Sequence, residues 1–271
     1  MSKLLFYVAT FCLVSSCAPF VDSPFSDKLL RPERNLNQLA LKKIGNPESD
    51  GVIRMAIYSD SHQNYKATDK MVFQMNQVST FDFVAGLGDF TNSAYNLEYD
   101  EFIEAIGPLR HTLINVIGNH DSIGAGPELY RKAFGPSNFY FESDNYRFIV
   151  FNSNNLETPH EFDPEWLKAR VDETGKNIII FSHVQLRDSD RYFDSVATTL
   201  GYVIEHPRVK IIFNGHNHIY DLSTDHGTIM MQCGRVAGEE GTHWLSITVQ
   251  GNQFCVTRMD TLGNTCLTIK P

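Results

Sequence analysis

The sequence predicts one α/β domain whose C-terminal part is rich in β-strands. Three observations carry that reading. From Val52 onward, short apolar runs alternate with helical stripes of apolar residues. Five of those runs end in loops that hold Asp, Asn or His beside Gly or Ser. No internal repeat and no Pro/Gly-rich linker interrupts the chain after Asp50. A strand–helix–strand rhythm implies largely parallel pairing, with the loops at the strands' C-terminal ends free to build a site. Composition is compatible. The 271 residues are 42% hydrophobic and 20% charged, which is ample for a core and excludes a disordered chain. The 18 Gly and 11 Pro follow no period, so collagen-like and low-complexity classes fall too. With 23 basic against 32 acidic residues, the net charge of −9 argues against a surface that grips nucleic-acid phosphates along many contacts.

At the N-terminus, Lys3 precedes a run from Leu4 to Val14 that is apolar apart from Thr10. It is too short to span a roughly 30 Å hydrocarbon core but suits an export signal. Val14-Ser15-Ser16-Cys17 resembles the bacterial lipoprotein box, in which the Cys is acylated and becomes the new N-terminus; ordinary cleavage after Ala18 is the rival. The expected organisation is a signal over residues 1–16, a tether over 17–50 and the domain over 51–271. The tether contains Pro19, Pro24, Pro32 and Pro47, with one short helix around Glu33–Ile44. Lipid on Cys17 makes the membrane a partner and places the protein on the periplasmic or outer face, with simple secretion as the alternative. Cys233, Cys255 and Cys266 then remain. Cys255 and Cys266 pair if their strands adjoin; otherwise all three are buried thiols. No CxxC occurs, so a thiolate zinc ribbon is excluded.

Within the domain, Val52–Tyr58 reads as a strand ending in Ser59-Asp60, and Met71, Val72, Met75 and Val78 form the stripe of a helix over Thr68–Val78. Phe81–Ala85 is a strand ending in Gly86-Leu87-Gly88-Asp89, Leu97–Ile106 a helix, and Leu113–Ile117 a strand ending in Gly118-Asn119-His120-Asp121. Asn138–Phe141 and Tyr146–Asn152 read as a hairpin. Asp163 caps a helix that opens on Pro164 and runs to Glu173. The apolar Ile178–Phe181 strand leads to Ser182-His183, a helix covers Phe193–Glu205, and Val209–Phe213 leads to Gly215-His216-Asn217-His218. The tail predicts strands at Thr228–Gln232, Trp244–Val249, Phe254–Met259 and Cys266–Ile269.

Strand ends of one sheet share an edge, so Asp60, His62, Asp89, Asn119, His120, His183, His216 and His218 can converge. In Asp60-x-His62 and His216-x-His218, alternate residues project to one side of an extended backbone. Carboxylates, imidazoles and an amide in that number exceed what one tetrahedral zinc needs. They suit two metal ions that share a carboxylate, with N/O ligands compatible with Zn, Fe or Mn. Two ions roughly 3.5–4 Å apart clamp the attacking and leaving oxygens of a phosphoryl displacement.

Asp60-Ser61-His62, Gly88-Asp89, Gly118-Asn119-His120-Asp121, His183 and Gly215-His216-Asn217-His218 resemble, in order and spacing, the calcineurin-like metallophosphoesterases. The resemblance covers Val52 to about Tyr220. It implies a four-layer α/β/β/α sandwich of two mixed β-sheets flanked by helices. It implies two divalent or trivalent metal ions: Asp60, His62, Asp89 and His218 hold one, and Asp89, Asn119, His183 and His216 the other, with Asp89 bridging. It implies attack on phosphorus by a metal-bridging hydroxide, His120 beside the substrate, and Asp121 orienting that imidazole. Asn119 and Arg187 are candidate substrate contacts, as is Arg191, and Tyr65 is a candidate stacking surface. Gly88-Asp89-Phe90-Thr91-Asn92 departs from phosphoprotein phosphatases, which continue with Asp-Arg, and Asn92 stands where purple acid phosphatases carry a Tyr ligand. The expected enzyme is an exported hydrolase of a small phosphomonoester or phosphodiester, with nucleotides, cyclic nucleotides, phospholipid headgroups and sugar phosphates as candidate substrates. The alternative is a non-catalytic surface lipoprotein that keeps the fold for binding; a nuclease is disfavoured by charge.

Overall fold

The computed structural model describes residues 26–238 and 241–271. The apolar N-terminal run, the Val14–Cys17 box and the first part of the expected tether lie outside the described residues.

In chain order the first strands are β1 (Val52–Tyr58), β2 (Phe83–Gly86), β3 (Leu113–Asn115), β4 (Phe139–Glu142), β5 (Tyr146–Val150), β6 (Asn177–Phe181) and β7 (Val209–Asn214). They are followed by β8 (Asp221–Asp225), β9 (Thr228–Gln232), β10 (Ala237–Gly238), β11 (Gly241–Thr242), β12 (Leu245–Gln250), β13 (Gln253–Arg258) and β14 (Asn264–Thr268). The helices are α1 (Leu36–Ile44), α2 (Tyr65–Met75), α3 (Asn96–Ile106), α4 (Gly126–Ala133), α5 (Pro164–Asp172) and α6 (Asp194–Glu205).

The strands form two mixed six-stranded sheets and a two-stranded ribbon, β10–β11. The first sheet has the order β14-β13-β12-β1-β2-β3; β1, β2 and β3 run parallel, while β12 to β14 join β1 as an antiparallel meander. The second has the order β4-β5-β6-β7-β9-β8, with a parallel centre and antiparallel edges. Side-chain alternation along each strand sorts the apolar residues into three layers. Ile53, Met55 and Ile57 of β1 face Phe148, Phe181 and Phe213 of the second sheet in a central core. Ala56 and Tyr58 point the other way, beneath Met71 and Met75 of α2, Phe102 of α3 and Leu129 of α4. Ile178, Ile180 and Ile212 lie under Leu167 of α5 and Leu200 of α6. The result is the expected four-layer α/β/β/α sandwich. Truncating one of the fully buried central rings, as in Phe181→Ala, costs about 3–5 kcal/mol.

Besides the short ribbon β10–β11, a helix and a strand are absent from the sequence expectations. Helix α4 is one short amphipathic piece that opens on Gly126-Pro127 and buries Leu129, Tyr130 and Ala133. Strand β8 is a polar edge strand whose Asp221, Ser223 and Thr224 are exposed, so it carries no apolar signature. Helix α2 starts three residues before the expected Thr68 and ends three before the expected Val78, its start set by the Asn64 side chain, which caps it by accepting from the Ala67 amide at 3.2 Å.

Residues 26–50, part of the segment expected as a tether, lie against the domain. The Leu30 and Arg31 amides donate to the Asp100 carboxylate at 2.8 and 3.0 Å. From α1, the buried Asn37 side chain donates to the Asn115 carbonyl at 2.9 Å and accepts its amide at 2.8 Å, so it completes the free edge of β3. Cys255 and Cys266 face each other across β13 and β14 and form a disulfide; Cys233 is buried and reduced. Among the described residues no helix is long and apolar enough to cross a membrane.

Candidate metal centre

The candidate ligands come from the ends of β1, β2 and β3 in the first sheet and of β6 and β7 in the second. The converging edge is therefore shared by both sheets, where a single sheet was expected. Ligand atoms of Asp60, His62, Asp89 and His218 lie within 4.8 Å of one another, and so do those of Asp89, His183 and His216. Asp89 belongs to both groups. Asn119 joins the second: its Oδ1 is 3.0 Å from His183 Nε2 and 2.9 Å from His216 Nδ1.

The local backbone is forced into this arrangement. Asp60, His62, Asp89, His216 and His218 all have positive φ, between 45° and 75°, and make up half of the ten non-glycine residues in that region among the described residues. Each such residue costs on the order of 1 kcal/mol or more, and strain of this kind persists where a site demands it. Close approach adds a second demand. A Cβ at Gly118 would collide with the Asp89 amide and carboxylate, and one at Gly215 with Ser59 Oγ and Asp60 Oδ2. Only glycine lets these loops come together.

The electron pairs at the centre lack a counterpart. His183 Nδ1 lies 2.7 Å from the Leu87 carbonyl, a contact only an N–H can make, which leaves the lone pair on Nε2. That nitrogen faces Asp89 Oδ2 at 3.1 Å and Asn119 Oδ1 at 3.0 Å. His62 repeats the pattern: Nδ1 donates to the Thr91 carbonyl at 3.0 Å, and Nε2 faces His218 Nε2 at 3.3 Å. Asp60 Oδ1 is buried with no hydrogen-bond partner, although His218 Nε2 comes within 3.4 Å of it. Converging lone pairs and an orphaned carboxylate oxygen fit a site built for cations, and the N/O donor set suits Zn, Fe or Mn. The titration behaviour agrees. Burial opposes charge on the His183 imidazole, but the Asp89 carboxylate outweighs it and raises the group to about 9, so a proton takes the place of positive charge there. His62, its charged form disfavoured chiefly by burial, is lowered, as is His216, where His183 adds to the burial effect.

Asp121 differs from expectation. Its wholly buried carboxylate accepts from the Asp89 amide at 2.8 Å, the Gly118 amide at 2.9 Å, and the Thr91 amide and hydroxyl at 2.8 and 2.9 Å. It ties two ligand loops together and does not orient His120, whose Nδ1 instead meets the Asn92 carbonyl at 2.7 Å. Burial, then the charge of Asp89, push the Asp121 carboxyl up to about 7. The His120 ring stands edge-on to His62, with centroids 5.0 Å apart.

Arg187 is not brought to the centre. Its guanidinium is held by Asp225 and Glu205, and it lines a separate cavity with Asp221, Asp225 and Gln232. Arg191 pairs with Glu157 at 2.9 Å. Tyr65 donates to Glu101 at 2.7 Å. It also lines, with His62, Lys66, Asn92, His218 and Arg235, an open cleft of about 650 Å³ at the centre. Arg235 escaped sequence reasoning because no motif marks it; it reaches the cleft through a parallel bridge to Ser59, a contact set by tertiary structure alone.

Solved structures share the fold. A dimetal phosphatase from Danio rerio superposes with a TM-score of 0.65 at 13% identity, over 80% of this chain and 98% of that one. The purple acid phosphatase PPD1 from yellow lupin gives 0.60 at 12% identity, over 81% of this chain and 53% of that one. GAP50, the anchor in the inner membrane complex of Plasmodium, gives 0.60 at 14%, over 81% and 90%. No curated protein matches the chain significantly. Residues 53–252 match the calcineurin-like phosphoesterase superfamily domain, and the chain belongs to that superfamily.

Proposed function

We propose that the protein is a metal-dependent phosphoesterase that hydrolyses a small phosphomonoester or phosphodiester at a two-metal centre. Asp60, His62, Asp89 and His218 hold one ion, and Asp89, Asn119, His183 and His216 the other. The observation that carries this reading is the pair of ligand groups sharing Asp89, with lone pairs and the orphaned Asp60 Oδ1 turned inward. The dimetal phosphatase with the same fold supports it. Metal ions bound there supply Lewis acidity and lower the pKa of water. The chain's own residues do the rest. The Thr91 and Leu87 carbonyls fix the tautomers of His62 and His183, so that each presents its lone pair inward. The Asn92 carbonyl fixes His120 in turn and leaves its Nε2 to hydrogen-bond the leaving oxygen or, when protonated, to donate to it. The non-catalytic alternative loses ground because every ligand side chain is present.

We propose as well that the protein works outside the cytoplasm, held to a membrane through lipid on Cys17. The support is the Lys3–Cys17 pattern together with the Cys255–Cys266 disulfide, a bond that persists in oxidising compartments. Labelled palmitate should enter the wild-type protein and not Cys17→Ser.

The enzymatic reading is tested with protein reconstituted with Mn, Zn or Fe and assayed on 4-nitrophenyl phosphate and bis(4-nitrophenyl) phosphate. Turnover of at least one is expected. No turnover with any of the metals would overturn it.

A further inference from the structure

Arg235 is half-buried in the wall of the cleft, and its Nε is buried without a hydrogen-bond partner. Among the described residues no carboxylate meets its guanidinium. Other arginines of this protein that sit partly out of water are matched: Arg147 by Glu142 and Glu173, and Arg191 by Glu157. A partly desolvated guanidinium without an anion is costly, and one set beside a cationic metal centre costs more. The position is not accidental. The Val236 amide donates to the Ser59 carbonyl at 3.0 Å and Ser59 bridges Arg235, so the backbone of Arg235 is fixed one residue from Asp60. The same cleft is lined by the exposed Lys66, in the first turn of α2, and by Gln63 and Asn92. Asn92 Nδ2 donates to Gln63 Oε1 at 2.7 Å, which uses the Gln63 acceptor and leaves its NH₂ as a donor. Cations and amide donors around one space, with the N-terminus of an 11-residue helix beside them, suit a group with several anionic oxygens.

We infer that Arg235 and Lys66 form a subsite for a second phosphate of the substrate, so that the favoured substrates carry a further phosphoryl group next to the one cleaved. This inference rests on the two-metal phosphoesterase reading and extends it from the ester bond to the phosphoanhydride bond, with the same attack of water on phosphorus and a phosphate oxygen as the leaving group. A phosphate there supplies the charge that Arg235 lacks, and the guanidinium fork matches two of its oxygens.

The test compares metal-reconstituted wild type, Arg235→Ala, Arg235→Lys and Lys66→Ala on adenosine 5′-diphosphate and on 4-nitrophenyl phosphate, with Arg187→Ala as the control outside the cleft. Losing a charge-assisted contact should lower kcat/KM for the diphosphate roughly tenfold or more beyond any loss on 4-nitrophenyl phosphate, mainly through KM. Arg235→Lys should recover part of it, and the exposed Lys66→Ala should show a smaller loss of the same kind. Equal losses on both substrates, or none on the diphosphate, would overturn the subsite. Calorimetric titration of metal-loaded protein with adenosine 5′-diphosphate gives a second reading that needs no turnover: at least tenfold weaker binding in Arg235→Ala supports the subsite, and unchanged binding overturns it. If wild type hydrolyses neither 4-nitrophenyl substrate, the phosphoesterase reading fails while the titration still decides on Arg235.

Discussion

Replacing Asp121 with Ala removes the acceptor for the Asp89, Gly118 and Thr91 amides, all within 2.9 Å of the carboxylate. The Thr91 hydroxyl keeps a second acceptor, the His120 carbonyl at 3.0 Å, and is not counted. A buried N–H stripped of its partner costs about 1–3 kcal/mol. Water entering the vacated space recovers part of that, and removing a charge from beside Asp89 recovers more. The expected loss is therefore about 3 kcal/mol, a large share of the about 5–15 kcal/mol that folded domains possess. Urea unfolding of the metal-free protein at pH 7, followed by circular dichroism, measures it. Asp121→Asn should lose nearly as much, because its NH₂ would face two amide donors. If both variants unfold within about 1 kcal/mol of wild type, Asp121 is not a strut between ligand loops and the geometric reasoning is refuted.

Metal-free protein should lose stability as pH rises from 6.5 to 9; below 6.5 the lowered imidazoles of His62 and His216 act in the opposite direction to Asp121. The folded His183 titrates near 9, above its ordinary value of 6.5, so its contribution is complete below 6.5 and is lost as pH rises through 9. Asp121, raised from 3.8 to about 7, acts in the same direction between those values, since the folded form binds the extra proton. Thermal melts across that range check this, and melting temperatures that climb from pH 6.5 to 9 would contradict it. Arg187→Ala should leave kcat/KM within about twofold and cost no more than about 1 kcal/mol, as its ion pairs are exposed. The Cys255→Ser/Cys266→Ser protein should be about 2–3 kcal/mol less stable in urea, given the 11-residue separation of the bridge, with unchanged turnover because the hairpin is the far edge of the first sheet.

The candidate ligands were legible because each sits immediately after an apolar strand and beside small residues, so local pattern and topology point to the same edge. The positions of β1, β9 and α3 were likewise written in their apolar periodicity, to within a residue at each end. What stayed hidden depends on contacts between distant segments. Asn37 completes the edge of β3 from 78 residues away, and nothing about a lone Asn in a short helix announces it. Asp121 next to His120 suggested a pair, yet the short 3-10 turn over His120–Ser122 sends its carboxylate inward to the loop amides. Arg235 acquires its place only from the Ser59 bridge. Arg187 shows the opposite error: a cation in a loop after a candidate ligand, turned away by Asp225 and Glu205.

The central claim is that Asp89 is shared by two metal ions. Elemental analysis of reconstituted, desalted protein tests it most directly, run on wild type and Asp89→Asn alongside hydrolysis of bis(4-nitrophenyl) phosphate and 4-nitrophenyl phosphate. Wild type should retain about two ions per chain and turn over at least one of the substrates, and Asp89→Asn should lose both metal and activity. One ion per chain or fewer in wild type, or full metal content and turnover in Asp89→Asn, would contradict the account.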